Sequence, residues 1–280
     1  MIPIGLCLTP MGVSSAWWRD SARQVEQAGF SAVWCWDHFM GRAKKTTPVL
    51  ECWTTLAAAA ASTDRARLGS FVTNVMNRHP AVLARMVATL VDQAGPRIEV
   101  GVGVGGYAPE MEAYGIAFPA PQERVLILEE AVAVMHALWA GGPATFEGRF
   151  FHLSDAWAYP TIEPAPRIIV GGEKPAGARL AARVGDAWTT KAADYEQLLP
   201  IHLDELSRHG RSRADVEHLL AVSLSREEPL ERQPLIADMA SFLGEWQERG
   251  ADEVVVDWVR PAELPALLDA AARAGLATSR

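Results

Sequence analysis

Asp37 closes an apolar run that starts at Ala32, and His38 and Phe39 follow it directly. An imidazole with an ordinary pKa of about 6.5 takes up or gives off a proton at neutral pH, so His38 is a candidate general acid or base. A hydrogen-bonded histidine just past a strand is the alternative, and spacing alone does not separate the two. Asp37 either orients that ring or only caps backbone groups. Further along, Gly171, Gly172, Glu173 and Lys174 open into a helix beginning near Pro175. Backbone N–H groups and the helix dipole can face an anion there, with Lys174 adding positive charge. A tight turn that merely needs glycine explains the same residues. A second glycine-rich run, Gly101 to Gly105 and Gly106 followed by Tyr107, is only superficially like a dinucleotide fingerprint. Alone it is weak, and it equally lets a planar ligand approach the backbone. Thr73, Asn74 and Trp36 complete the set, and Trp36 is either a core residue, as most of the early tryptophans should be, or one that faces a ring system.

Such residues need a frame that brings them together. They follow short apolar runs, Pro3–Thr9, Ala32–Asp37, Arg67–Thr73, Ile98–Gly103, Arg167–Gly171, Asp186–Thr190, Leu219–Leu224 and Glu253–Trp258. These read as eight strands, several apolar on both faces as buried parallel strands are. Between them, Leu83, Met86, Val87, Leu90 and Val91 recur with helical period, as do Val125, Leu128, Val132, Met135 and Trp139. Pro80, Pro234 and Pro261 stand where helices would begin, and Gly29, Gly185 and Gly250 where they would end. The alternation predicts one helix after each strand. Eight such units with right-handed crossovers close into a (β/α)8 TIM barrel of the α/β class. The segment Gly141–Pro166 breaks the rhythm, and Thr145–His152 reads as a small hairpin turning at Gly148, an insertion before strand five. No low-complexity linker interrupts the chain, so residues 1–280 are expected to form a single domain. Barrel sites are built from loops at the C-terminal strand ends, where the residues above fall.

Bulk properties narrow the function. A formal net charge of -8 is not that of a nucleic-acid-binding protein, which would carry a basic stripe. Cys7, Cys35 and Cys52 make neither a CxxC pair nor a set at metal-ligand spacing, so no metal site is expected. An odd, unpaired set suits a reducing compartment. The N-terminus lacks the charge and apolar core of a signal peptide, and no apolar stretch approaches the roughly 18–20 residues that span a bilayer. The expectation is a cytoplasmic protein with a small-molecule substrate and no membrane partner, with room for a homodimer.

The run Glu26–Phe39 resembles the first-helix, second-strand signature of the luciferase-like oxidoreductases. Further matches are Glu51–Ala57, Arg67–Thr73, Arg78–Ala84, Val100–Tyr107, Glu112–Ile116, Phe146–Phe151 and Ile169–Lys174, in family order over about residues 2–190. The chain is most similar in flavour to the group that uses coenzyme F420. That resemblance implies a (β/α)8 barrel with a tricyclic cofactor ring across the strand mouths, F420 by preference and FMN as the alternative. It places His38 as the catalytic residue near the reactive ring carbon. Asp37, Thr73 and Asn74 then approach the ring beside a bulge that the family often makes with a non-prolyl cis peptide. Gly105, Gly106, Tyr107, Gly171, Gly172, Glu173 and Lys174 match loops that hold the ring, ribityl chain and phosphate. Two departures stand out. Sugar- and alcohol-oxidising members have a glutamate where this chain has Gly106 and a tryptophan near the position of Arg42. The activity implied is hydride transfer between F420 and a small organic substrate. An FMN-dependent monooxygenase and a non-catalytic flavin-binding barrel are the alternatives.

Overall fold

A computed structural model describes residues 1–278. Along the chain, β1 (Ile4–Leu8) leads to α1 (Ser15–Gln27), β2 (Ala32–Cys35) to α2 (Cys52–Ala60), and β3 (Arg67–Asn74) to α3 (Pro80–Ala94). Next, β4 (Ile98–Gly103) leads to α4 (Ala108–Ala113) and α5 (Pro121–Trp139). A hairpin, β5 (Ala144–Glu147) with β6 (His152–Ala156), precedes β7 (Ile168–Gly171) and α6 (Pro175–Val184). The rest comprises β8 (Ala187–Lys191), α7 (Tyr195–Arg208), β9 (Glu217–Ser223), α8 (Pro234–Ala237), α9 (Met239–Glu248), β10 (Glu253–Val259) and α10 (Leu264–Arg273). Eight strands close in the order β1-β10-β9-β8-β7-β4-β3-β2, and β5 with β6 forms a separate antiparallel pair. The barrel and the hairpin insertion before its fifth strand both form as the sequence predicts. Among the described residues no helix is long and apolar enough to cross a membrane.

Where the boundaries differ, the causes are local. β2 ends at Cys35, short of Asp37, because its pairing with β3 stops at Ser70. There β3 bulges between Ser70 and Thr73, and the Phe71–Val72 peptide is cis. β4 and β9 are each followed by two helices rather than one. Pro261 precedes α10 by a turn, in which Glu263 accepts from the Arg260 amide at 2.8 Å, and Pro265 takes the first-turn position instead.

The interior and the outer layer have different tasks. Cys7, Ala32, Trp34, Phe71, Ile169, Ala187, Leu219 and Val255 form one buried cluster, while the opposite strand faces pack with the helices in a larger one. The N-terminal pole is closed by charge: Arg67 binds Glu99 at 2.9 Å and Glu253 at 2.7 Å, and Arg167 binds Glu99 at 2.9 Å. At the other pole, Arg78 grips both oxygens of the buried Asp37 at 2.7 and 2.9 Å. It also reaches Glu51, the N-cap of α2, at 3.1 Å. The Asn74 amide donates to Asp37 at 3.2 Å. The ends of β2 and β3 and the starts of α2 and α3 are thereby tied at one guanidinium.

Outside the barrel wall, His202 stacks on Trp188 with ring centroids 4.5 Å apart, and His218 contacts the Tyr195 hydroxyl at 2.8 Å. Both imidazoles are fully buried and leave Nε2 without a partner among the described residues. Burial pushes His202 down to about 4 and His218 down to about 2, the latter helped by Arg213.

Two outcomes are expected. Arg78→Ala leaves the Asp37 carboxylate buried without its cation and should lower the unfolding free energy by about 3–5 kcal/mol in urea titration. Stability should be full above pH 6.5, the ordinary histidine value, and fall as pH drops from there toward 4, because the unfolded histidines take up protons the folded ones refuse. The slope is at most roughly 1.4 kcal/mol per pH unit for each histidine, and replacing His202 and His218 by phenylalanine should flatten it.

Candidate functional site

All eight barrel strands are parallel, so their C-terminal ends open on one face. Every residue singled out from the sequence lies at or just beyond one of those ends. His38, past β2, is about a fifth exposed, and its Nδ1 lies 2.9 Å from Oε2 of Glu110. Glu110 comes from the first turn of α4 and is 1% exposed. Its other oxygen accepts from the amides of Phe39 at 2.6 Å and Met40 at 3.1 Å. Burial alone would raise the Glu110 pKa, but the imidazole and the two amides outweigh it and hold the carboxyl below its usual range. The partner of His38 is therefore Glu110, 72 residues away, and not its neighbour Asp37. Sequence reasoning passed over Glu110. The available signal was a carboxylate in a short helix just after the glycine-rich run that ends β4.

Trp36 meets the His38 ring edge-on at 5.2 Å and stacks on Trp258 at 5.4 Å. Trp258 has a φ of 58°, a backbone conformation bulky residues rarely adopt. At the bulge of β3 lies Val72, whose side chain occupies the space that glycines of β4 and β7 leave open. A Cβ on Gly103 would come within 2.7 Å of Val72 Cγ2, one on Gly171 within 3.2 Å, and one on Gly101 within 2.1 Å of the Ser70 carbonyl. The glycine-rich β4 thus admits the bulge of β3. Gly105, at a φ of 71°, sits against the Asn74 amide, where a Cβ would be 2.6 Å from Oδ1. Asn74 in turn bonds Asn77 at 3.0 Å and accepts from the Met76 amide at 3.1 Å. The buried Thr73 hydroxyl accepts from the Trp53 indole at 3.0 Å. Arg124 holds the Val104 and Gly105 carbonyls at 2.9 and 2.6 Å. Gly106 is exposed, and Tyr107 lies under the Arg42 guanidinium at 5.2 Å.

Across the mouth, Gly172 packs on the first turn of α6 so closely that a Cβ would be 2.5 Å from the Gly177 carbonyl carbon. Lys174 is the N-cap residue of α6, and no side chain caps that end. It is exposed, and its ammonium has no hydrogen bond or ion pair among the described residues. Glu173 instead pairs with Lys191, the last residue of β8, at 2.9 Å. Near the end of β10, burial pushes the Asp257 pKa up to about 6. Asp257 was not among the residues picked from the sequence, since its place in β10 looks like that of any strand residue. Thr189, in β8, is buried with a hydroxyl lacking a partner among the described residues. Arg260 turns away to pair with Glu263. The mouth therefore combines a glutamate-paired imidazole on one wall with uncapped helix N–H groups and an unpaired ammonium on another.

A sequence profile described as luciferase-like monooxygenase matches residues 12–244. The chain is 35% identical over 213 residues to an F420-dependent glucose-6-phosphate dehydrogenase of Microbacterium testaceum, covering 72% of this chain and 61% of that protein. It thus spans about three fifths of the length of the curated relatives it matches first. Among solved structures, an F420-dependent secondary alcohol dehydrogenase with an F420-acetone adduct superposes with a TM-score of 0.82 at 22% identity, over 95% of this chain and 99% of that one. The monooxygenase RslO1 of Streptomyces bottropensis superposes with a TM-score of 0.75 at 19% identity, over 97% of each chain. At these identities both attest the barrel fold. With 233 of its 280 residues, 12–244, matched by one profile, the chain belongs to the luciferase-like monooxygenase family.

Proposed function

We propose that this chain is an oxidoreductase that moves a hydride between coenzyme F420 and a small organic substrate, with His38 supplying the proton that accompanies the hydride. One observation carries the reading: the His38 imidazole and the uncapped, lysine-flanked start of α6 open on the same barrel mouth. Relatives named as F420-dependent dehydrogenases support the choice of cofactor. When bound, the deazaflavin would supply the hydride chemistry, leaving positioning and proton handling to the protein.

The residues present fit such a group. Val72, seated on Gly103 and Gly171, offers an apolar backing for a ring. Asn74, Gly105, Gly106 and Tyr107 would line its edge. Lys174 and the first turn of α6 would hold a phosphate through an ammonium and backbone N–H groups, with Gly171 and Gly172 letting it approach, since the Gly172 amide itself donates to the Thr189 carbonyl at 2.9 Å. Asp37, Thr73 and Glu173 would serve by holding neighbours, since their side chains are bonded to Arg78, Trp53 and Lys191. Glucose 6-phosphate, in the name of several relatives, is not carried over, because Gly106 offers no side chain where sugar-oxidising members have a glutamate. The family's name keeps an FMN-dependent monooxygenase as the second reading, and a barrel that binds flavin without turnover as the third.

Fluorescence-quench titration should give a lower Kd for F420 than for FMN, and the reverse order would move the assignment to the monooxygenase. Lys174→Ala should weaken F420 binding by about 1–2 kcal/mol at low salt, the range for a charge-assisted contact to phosphate. An unchanged Kd would remove Lys174 from the cofactor site. His38→Ala should lower the single-turnover rate of cofactor oxidation by about 10²–10⁴-fold with cofactor affinity nearly intact. A variant with the native rate would return His38 to a purely structural role.

A further inference from the structure

We infer that Glu110 is the positioning residue of His38: it fixes the imidazole as the Nδ1–H tautomer and so leaves Nε2 as the nitrogen that exchanges a proton in the barrel mouth. The catalytic consequence rests on the reading of His38 given above, while the tautomer itself does not.

The argument begins with the donors around one carboxylate. Oε1 of Glu110 accepts two backbone N–H groups, from Phe39 and Met40. Those amides can only donate, and a carboxylate held below its usual pKa can only accept. Oε2 therefore requires a hydrogen from whatever faces it, and His38 Nδ1 at 2.9 Å must bring that hydrogen. In neutral imidazole a proton on Nδ1 leaves Nε2 with a lone pair, and Nε2 has no hydrogen-bond partner among the described residues. Asp37 cannot take this part, because Arg78 and the Asn74 amide occupy both of its oxygens.

The same short helix holds the loop a second time. Tyr114, four residues after Glu110 and so on the same side of α4, donates its hydroxyl to the Phe39 carbonyl at 3.1 Å. Its ring also lies 5.2 Å from that of Phe39. The imidazole is thus gripped through its own Nδ1 and through the backbone on its C-terminal side.

In the reduction of a carbonyl, the carbon takes the hydride and its electron pair. The oxygen takes the proton from Nε2, whose N–H electrons remain on the ring as a lone pair. The Nδ1–H bond to Glu110 is not broken. The carboxylate stabilises the doubly protonated ring before transfer and leaves the correct neutral tautomer after it.

Glu110→Gln separates this role from simple loop support. The two backbone donors still need an oxygen, so the amide oxygen stays on Phe39 and Met40 and the NH2 turns to His38. Nδ1 then becomes the acceptor and the hydrogen moves to Nε2. The measurement is 15N NMR of histidine-labelled full chain without cofactor, above neutral pH, with His38 signals identified by their loss in His38→Gln. The wild type should show a pyrrole-type Nδ1 and a pyridine-type Nε2, and Glu110→Gln the inverse. A wild-type ring protonated on Nε2, or a folded Glu110→Gln variant with an unchanged pattern, overturns the inference. If Glu110→Gln does not fold, the wild-type pattern still decides, and Glu110→Asp, which keeps the charge, should preserve it. With F420 and a substrate in hand, Glu110→Gln should lower kcat about 10²–10⁴-fold at unchanged cofactor Kd. Failure of F420 to bind would refute the cofactor assignment and leave the tautomer result standing.

Discussion

Inside the barrel, Trp34 lies between Gly5 and Gly69, where a methyl carbon on either glycine would come within 2.6 Å of its indole. A closed ring of eight strands has a fixed cross-section, and its interior packs as densely as a crystal. One large side chain therefore dictates small neighbours on the adjoining strands. The rule repeats nearer the mouth, where Val72 at the bulge of β3 demands Gly101 and Gly103 on β4 and Gly171 on β7. The shape of the mouth follows from close packing: the tryptophan plugs the middle, the valine forms a wall, and the glycines give the room.

That packing leaves little space for polar groups except at the two poles, and the poles are treated differently. At the N-terminal pole Arg67, Arg167, Glu99 and Glu253 neutralise one another in a closed network. At the mouth two buried carboxylates and a half-buried one have different surroundings. Asp37 faces a guanidinium and ties strand ends to helix starts. Glu110 faces an imidazole and two amides, which keep it ionised. Asp257 directly meets the Cys7 thiol and the Trp258 backbone, and burial lifts it to about 6, so its charge changes close to neutrality. One functional group thus yields an anchor, an ionised acceptor against a histidine and a group ready to titrate, according to the donors that surround it.

The family assignment rests on sequence over most of the chain, and the mouth adds chemistry to it. A histidine held by a buried glutamate on one wall, and an uncapped helix start with an unpaired lysine on another, suit a ligand with a reactive centre at one end and an anion at the other. Gly106 leaves open the place where the resemblance put a glutamate in sugar-oxidising members, so the same barrel would present a different substrate surface.

The sequence alone determined the eight strands, the hairpin insertion and the ring of residues at the strand ends. Those features rest on local patterns: apolar runs of strand length, helical periodicity, and proline and glycine at element borders. It also singled out His38, because a titratable side chain just past a strand stands on the face where such barrels build their sites. Which group touches that histidine was decided only by the tertiary structure. Asp37 is adjacent in the chain yet faces Arg78, while Glu110, 72 residues distant, lies against the ring. The purpose of the glycine run was likewise hidden, since the side chain it accommodates, Val72, belongs to the neighbouring strand. Glu173 and Lys174 look alike in sequence as charges at a helix start, but only the register of β7 against β8 brings Lys191 to the first and leaves the second free. Spacing along a chain reports which face a residue occupies. Partners across a barrel depend on closure and register, which no short stretch of sequence contains.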